Sequence, residues 1–269
     1  MRKHLITEIS MATDKNIMEG LEFLNNASNG DLLNLCDTIL KGKQKDNAPN
    51  DSYRLTETLS VKEIYKTNYP DNIKAFLPEL VGEFRCFGGN TIMNLFRGGN
   101  GPSYSEILRD VAKRNKVSFN SRATDEMVEQ YLLQKLFDDT IMSASDDELK
   151  KMLEELGMPV TQFWREAAIA ALMVAWKCGG FQSYILLVSV VNAMVRFFIG
   201  RGLSLAANAG LTRMASIFMG PVGIALTTLW TIVDIAGPAY RVTVPAVIQI
   251  AYLRRSSRID PKLLLEGKA

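Results

Sequence analysis

Histidine is almost missing from this chain. His4 is the only one among 269 residues, and it stands in a terminal stretch expected to fray. One imidazole at a chain end argues against Ser–His and Cys–His catalysis and excludes any metal site needing several histidines. Cysteine is scarce as well. Cys36, Cys86 and Cys178 lie far apart and form no C-x-x-C pair, so neither a zinc ribbon, a redox motif nor a disulfide framework is expected. That usage fits a reducing compartment. No apolar run precedes Asp14, so a cleaved secretory signal is not expected. Strong net charge is absent too. The formal value of +2 does not suit a dedicated nucleic-acid binder. A phosphate loop is also lacking. The run Arg97-Gly98-Gly99-Asn100-Gly101-Pro102 has glycines but not the Lys-Ser/Thr ending, and no strand precedes it. It reads as a helix stop and a turn.

What the chain does have is a contrast between its two ends. Residues 1 to 160 carry 20 Lys/Arg and 25 Asp/Glu, a net of −5. Residues 161 to 253 carry eight charges: Arg165, Glu166, Lys177, Arg196, Arg201, Arg213, Asp234 and Arg241. Their net is +4, and the stretch from Arg254 to Ala269 adds +3. The front is acidic and water-seeking, the rear apolar and basic.

Helix signals recur through the front. Ser60-x-x-Glu63, Ser103-x-x-Glu106 and Ser145-x-x-Glu148 each read as a capping box, in which the serine oxygen and the glutamate satisfy free N–H groups of a first turn. Asp146, Asp147 and Glu148 would also complement the helix dipole. Apolar stripes at helical spacing run through Leu32, Leu35, Cys36 and Ile39, through Ile107, Leu108, Val111 and Ala112, and through Val128, Leu132, Leu133, Leu136 and Phe137. The best strand candidate is Tyr240 to Val244, which Pro245 demotes. Lys41 to Ser52 reads as a solvated linker, and Gly157 to Pro159 closes the acidic half.

Two stretches carry a family resemblance. Phe87-Gly88-Gly89-Asn90, Arg97-Gly98, Tyr104, Ile107, Leu108, Asp110 and Val111 resemble the YaaW family of bacterial proteins. So do Gly220-Pro221-Val222-Gly223, the run Ala239-Tyr240-Arg241-Val242-Thr243-Val244-Pro245-Ala246-Val247, and Leu253-Arg254-Arg255. The resemblance covers roughly residues 20 to 257 and implies a helical fold. It groups the chain loosely with the ubiquinol–cytochrome c chaperones, helical assembly factors, and brings no catalytic residues with it.

The rear third permits two readings. Cys178 to Val195 and Met214 to Val233 are free of charge, and a helix of about 20 residues rises about 30 Å, the thickness of a hydrocarbon core. Gly220-Pro221 interrupts the second stretch, leaving a helix of about 22 Å, short for a span. Phe181 to Ile199 reads as one helix whose polar residues Gln182, Ser189, Asn192 and Arg196 share a narrow stripe, so it is buried nearly all round, in protein or in lipid. Arg196 could snorkel to a headgroup layer. Small residues from Leu203 to Leu211 allow close helix approach in either medium.

The expected architecture is therefore an all-α multi-helix bundle, with a charged amphipathic front half and an apolar helical hairpin region in the rear third. Three units that pack together are expected: residues 1–58, 59–158 and 159–269. The expected function is non-enzymatic: a helical binding or assembly-helper protein in the cytoplasm, with association at the inner membrane left open. The alternative is a membrane-inserting effector that uses residues 181–236. No catalytic, metal or cofactor site is expected, and no small-molecule substrate or nucleic acid. The partners expected are a protein or a second copy, with an anionic membrane as the further alternative. The candidate contact residues are Trp176, Phe181, Tyr184, Arg196, Trp230, Asp234, Arg241, Arg254 and Arg255. Trp164, Trp176, Phe181 and Tyr184 cluster where the chain turns apolar, which suits an interfacial belt or ordinary core packing. Arg254 and Arg255 suit an anionic surface or a solvated tail. Asp234, isolated among apolar residues, calls for an arginine partner or water.

Overall fold

Capping side chains set the starts of three consecutive helices in the middle of the chain. The computed structural model describes residues 16–41, 58–88, 101–158, 160–199 and 240–258. Among these are nine α-helices: α1 (Asn29–Lys41), α2 (Glu63–Asn68), α3 (Leu77–Gly88), α4 (Tyr104–Arg114), α5 (Asp125–Ser143), α6 (Asp146–Glu155), α7 (Arg165–Cys178), α8 (Gly180–Ile199) and α9 (Tyr240–Ser256). Short 3-10 turns cover Glu22–Asn26, Leu59–Val61 and Ile73–Phe76, and no strand occurs among the described residues. The all-α expectation holds.

Two of the three expected capping boxes form. Ser103 accepts the Glu106 N–H at 3.3 Å while Glu106 accepts the Ser103 N–H at 2.8 Å. Ser145 and Glu148 repeat the pattern at 3.3 and 2.6 Å. Thr124, unmarked in the sequence reading, caps α5 through the Met127 N–H. Each such cap contributes about 1 kcal/mol. The Ser60–Glu63 box does not form. Leu59 is buried and pulls its neighbours into a 3-10 turn, and the extended backbone at Lys62 delays the helix until Glu63. Ser60 thus stands too far upstream to cap it.

The apolar stripes read from the sequence all face inward. Leu32, Leu35, Cys36, Ile39, Ile107, Leu108, Val111, Ala112, Val128, Leu132, Leu133, Leu136 and Phe137 belong to one core. At its centre lies α9, packed against α1, α3, α4, α5 and α8. Every residue from Val242 to Leu253 is buried. The strand candidate Tyr240 to Val244 is therefore corrected: it forms the first turns of α9, and Pro245 lies inside the helix. A helix surrounded on all sides needs no polar face, so its sequence loses helical periodicity and its β-branched run imitates a buried strand. Pro245 cannot donate to the preceding turn, a loss the packing around α9 tolerates.

The expected helix 181–199 is found as α8, and its residues 183–195 are buried by protein, against α9, α7, α5 and α1. It meets α7 at a corner of 108° rather than continuing it. Gly179 and Gly180 make the corner with φ of 74° and 72°, a region that side-chain-bearing residues avoid. No single described helix is long and apolar enough to cross a membrane; the bent pair passes by length and composition only. Of the expected linker Lys41 to Ser52, Lys41 is the last residue of α1 and the rest lies outside the described residues, as do the small-residue run 203–211 and the second apolar stretch 214–233.

One glycine is fixed by close approach. A Cβ on Gly101 would sit 2.0 Å from the Arg85 carbonyl oxygen of α3. Arg85 locks the crossing by donating to the carbonyls of Pro102 at 2.8 Å, Gly101 at 3.3 Å, Asn16 at 3.1 Å and Ile17 at 3.2 Å. Gly101→Ala is expected to lower stability by at least about 2 kcal/mol, since the obstacle is backbone and cannot rotate away. The shift of the urea midpoint checks it.

Candidate functional site

The C-terminal end of α9 and the two residues after it bring three arginines, Arg254, Arg255 and Arg258, to a groove beside α5. Arg254 donates from Nε to a Glu129 carboxylate oxygen at 2.7 Å and from a terminal nitrogen to the Gly20 carbonyl at 2.7 Å. Its guanidinium also lies 4.1 Å from the centroid of Phe23. The other Glu129 oxygen accepts the Tyr104 hydroxyl at 2.6 Å. A buried chain of polar contacts thus joins α4, α5 and α9. The Glu129 side chain is 3% exposed and that of Arg254 17%. Burial pushes the Glu129 carboxyl above its ordinary range, against the opposing pull of Arg254 and Tyr104. Burial pushes the Tyr104 hydroxyl well up too, and the neighbouring Glu129 adds to this, so Tyr104 stays a neutral donor.

Arg255 is held differently. Its guanidinium lies 4.5 Å from the centroid of Trp176, and one terminal nitrogen donates to Ser183 Oγ at 2.7 Å. Trp176 in turn stacks on Phe137 at 4.3 Å with the rings 9° from parallel. Burial lowers the Arg255 pKa from its usual value. Arg258 pairs with Glu126. Between these groups lies a small groove of about 90 Å³, lined by Glu126, Glu129, Gln130, Arg254, Arg255 and Arg258, with Leu133 and Ala251 as its apolar wall.

A second opening of about 210 Å³ lies beside α3, with Glu79, Glu83, Arg85, Cys86 and Gly101 on its lining. Glu83 there accepts the Thr58 N–H and hydroxyl at 3.2 and 3.1 Å. Burial, then the charge of Glu83, raises the Cys86 thiol above its ordinary range. Among the described residues no three His, Cys, Asp or Glu side chains converge as metal ligands.

Of the candidate residues read from the sequence, the structure sets Arg255 on Trp176 and places Arg254 beside Arg255 on the same groove. Trp176 and Tyr184 are buried. Tyr184 is hydrogen-bonded to Tyr252 of α9, and burial raises both hydroxyls. Phe181 is half-buried against the same core. Arg196 falls late in α8 and Arg241 in the first turn of α9, while Trp230 and Asp234 lie outside the described residues. Tyr104, Glu129, Gln130 and Phe137 also belong to this arrangement and are not among the residues expected from the sequence. One signal for Glu129 existed. It lies at helical spacing with Leu132, Leu133 and Leu136, an acid on an apolar face. Its partner, 125 positions away, left no mark.

Comparison with known proteins gives several relatives that match over most of the chain. A UPF0174 protein of Helicobacter pylori strain J99 is 38% identical over 235 residues, covering 87% of this chain and 90% of that protein. A UPF0174 protein of Helicobacter pylori strain 26695 is 35% identical over 205 residues, covering 74% and 97%. The UPF0174 protein YaaW of Escherichia coli K12 is 30% identical over 237 residues, covering 87% and 93%. No family model matches the chain. No solved structure matches it either.

The unequal burial of the Arg254–Glu129 pair makes its two halves unequal under mutation. Arg254→Met leaves a carboxylate at 3% exposure without its cation and should cost about 3 to 5 kcal/mol. Glu129→Gln keeps an acceptor for Tyr104 and leaves only the better-hydrated Arg254 unpaired, so it should cost less. Urea unfolding of both variants checks the order. The pH dependence has a definite sign. With its folded pKa above the reference 4.5, Glu129 takes up a proton more readily in the folded chain. Its contribution is fully present below the unfolded pKa and is lost as pH rises through the folded one. As pH rises above the reference 4.5, the urea midpoint of Glu129→Gln should therefore rise relative to that of the parent.

Proposed function

The chain belongs to the UPF0174 family, and on that footing we propose that it is a non-enzymatic helical binding or assembly-helper protein whose docking face is the outward side of α7. One observation supports this. The outward positions of α7 stay apolar where a surface helix is normally polar. Val174 is 59% exposed and Trp164, at the helix's N-terminal boundary, 63%. Ala167 and Ala170 are exposed between them. The spacing of 164, 167, 170 or 171, and 174 keeps these residues on one face. Glu166 and Lys177, both exposed, give that face charged ends. Arg165 fixes the start of α7 by pairing with Asp146 and donating to the carbonyls of Met142 and Ala144.

The alanines suit an α-helix as the occupant, because small side chains let two helix axes approach closely. An apolar exposed patch with a polar rim is the usual mark of such a contact. On this reading the protein works in the cytoplasm and the partner is a helical protein segment. The looser grouping with ubiquinol–cytochrome c chaperones has no counterpart among the relatives, and the helper reading does not rest on it. A second reading, membrane insertion, draws on the bent apolar pair α7–α8. It would require α8 to leave the core it fills.

A photo-crosslinking residue at position 170 of the full chain, in living bacteria, distinguishes the two. A discrete protein adduct that disappears when Val174→Asp is added supports docking. Adducts to lipid alone, together with dye leakage from anionic liposomes, would overturn it. Val174→Asp should itself change stability by no more than about 0.5 kcal/mol, as expected for an exposed position.

A further inference from the structure

We propose that the groove between α5 and α9 is a receptor for a single carboxylate group, clamped by Arg255. The observations behind it are independent of the α7 face. Three arginines and two glutamates line the groove. Both acids are already engaged, Glu129 by Arg254 and Tyr104, and Glu126 by Arg258. The surplus positive charge therefore rests on Arg255. That guanidinium uses one donor on Ser183 and sets its π-system against Trp176. It has no carboxylate partner among the described residues. A guanidinium carries several further N–H donors in a planar fork, which matches the two oxygens of a carboxylate. The indole and Ser183 hold that fork in place before a ligand arrives, so little side-chain entropy is lost on binding.

Size and charge narrow the ligand. About 90 Å³ accepts one small planar group, whereas pockets for whole small molecules begin near 300 Å³. The surplus of one positive charge balances a monoanion. A phosphate dianion would face repulsion from Glu126, Glu129 and the negative C-terminal end of α9. Leu133 and Ala251 on the wall reduce water access and strengthen the contact. Gln130, exposed at the rim, offers an amide to the same ligand. The carboxylate would come from an acidic side chain of a protein partner or from a free small carboxylic acid.

Titration of the full chain at constant ionic strength tests this, with the Arg255 Nε–H resonance as one readout. Emission of Trp176, in a chain carrying Trp164→Phe and Trp230→Phe, is the other. Sodium acetate is expected to give a saturable shift of both signals. Sodium chloride is expected to give none, and sodium phosphate only a weaker response. Glutamate with both backbone ends capped serves as the second probe. Saturation by it at or below the acetate concentration assigns the ligand to a protein side chain; saturation by acetate alone assigns it to a free acid. Gln130→Glu adds a negative charge at an exposed rim position without touching the core and should weaken acetate binding by at least about tenfold. Arg255→Lys keeps the charge but loses the fork and should weaken it similarly. Absence of a saturable acetate response, tighter binding of phosphate than acetate, or an unchanged response in Gln130→Glu would each overturn the proposal.

Discussion

The structure depends on the burial of α9. This helix is the last described element, yet it stands at the centre, and the contacts of α1, α3, α4, α5 and α8 converge on it. Removing its apolar residues from water is the largest driving force available, at about 25 cal/mol per Å². That force has no direction, and a featureless apolar cylinder could rotate or slide among its neighbours. Polar contacts fix the register. Gln249 donates to Thr38 of α1, Arg254 to Glu129 of α5, and Arg255 to Ser183 of α8. Thr38 is itself tied to the Asn34 carbonyl. Each contact joins α9 to a different helix, so together they define one orientation.

The same arrangement explains why the arginines near the C-terminal end of α9 do not behave as a solvated basic tail. Arg254 and Arg255 lie inside the rim of the bundle because their aliphatic stems and planar heads can pack on Phe23 and Trp176 while the charge finds an acceptor. Lysine would not serve equally well, since its ammonium is compact and strongly hydrated. Arg254 is balanced by a carboxylate and Arg255 by neutral groups alone. The groove with surplus positive charge follows directly from that difference.

The α7–α8 corner separates two apolar helices that the composition makes look alike. Beyond Gly179–Gly180, α8 enters the core and its apolar surface is covered by protein. Before the corner, α7 lies across α5, α6 and α8 and keeps part of its apolar surface outward. Apolar surface left in water on the outside of a bundle costs free energy that a covering partner recovers. The longer and more apolar α8 has its apolar side chains between residues 183 and 195 covered by the bundle, whereas α7 keeps Val174 in water.

The sequence alone determined the all-α class, the inward stripes of α1, α4 and α5, two capping boxes and the bounds of α8. All of these follow from local chemistry: spacing along a helix, an oxygen near a free N–H, and glycine at a stop. It could not determine that Tyr240–Val244 is helical, because a fully surrounded helix carries no periodic signal. Nor could it pair Glu129 with Arg254 or set Arg255 on Trp176, since these partners are 125 and 79 positions apart. Whether an apolar residue meets protein or water, and whether an arginine meets an acid or an indole, depends on which helices become neighbours, and that only the tertiary structure decided.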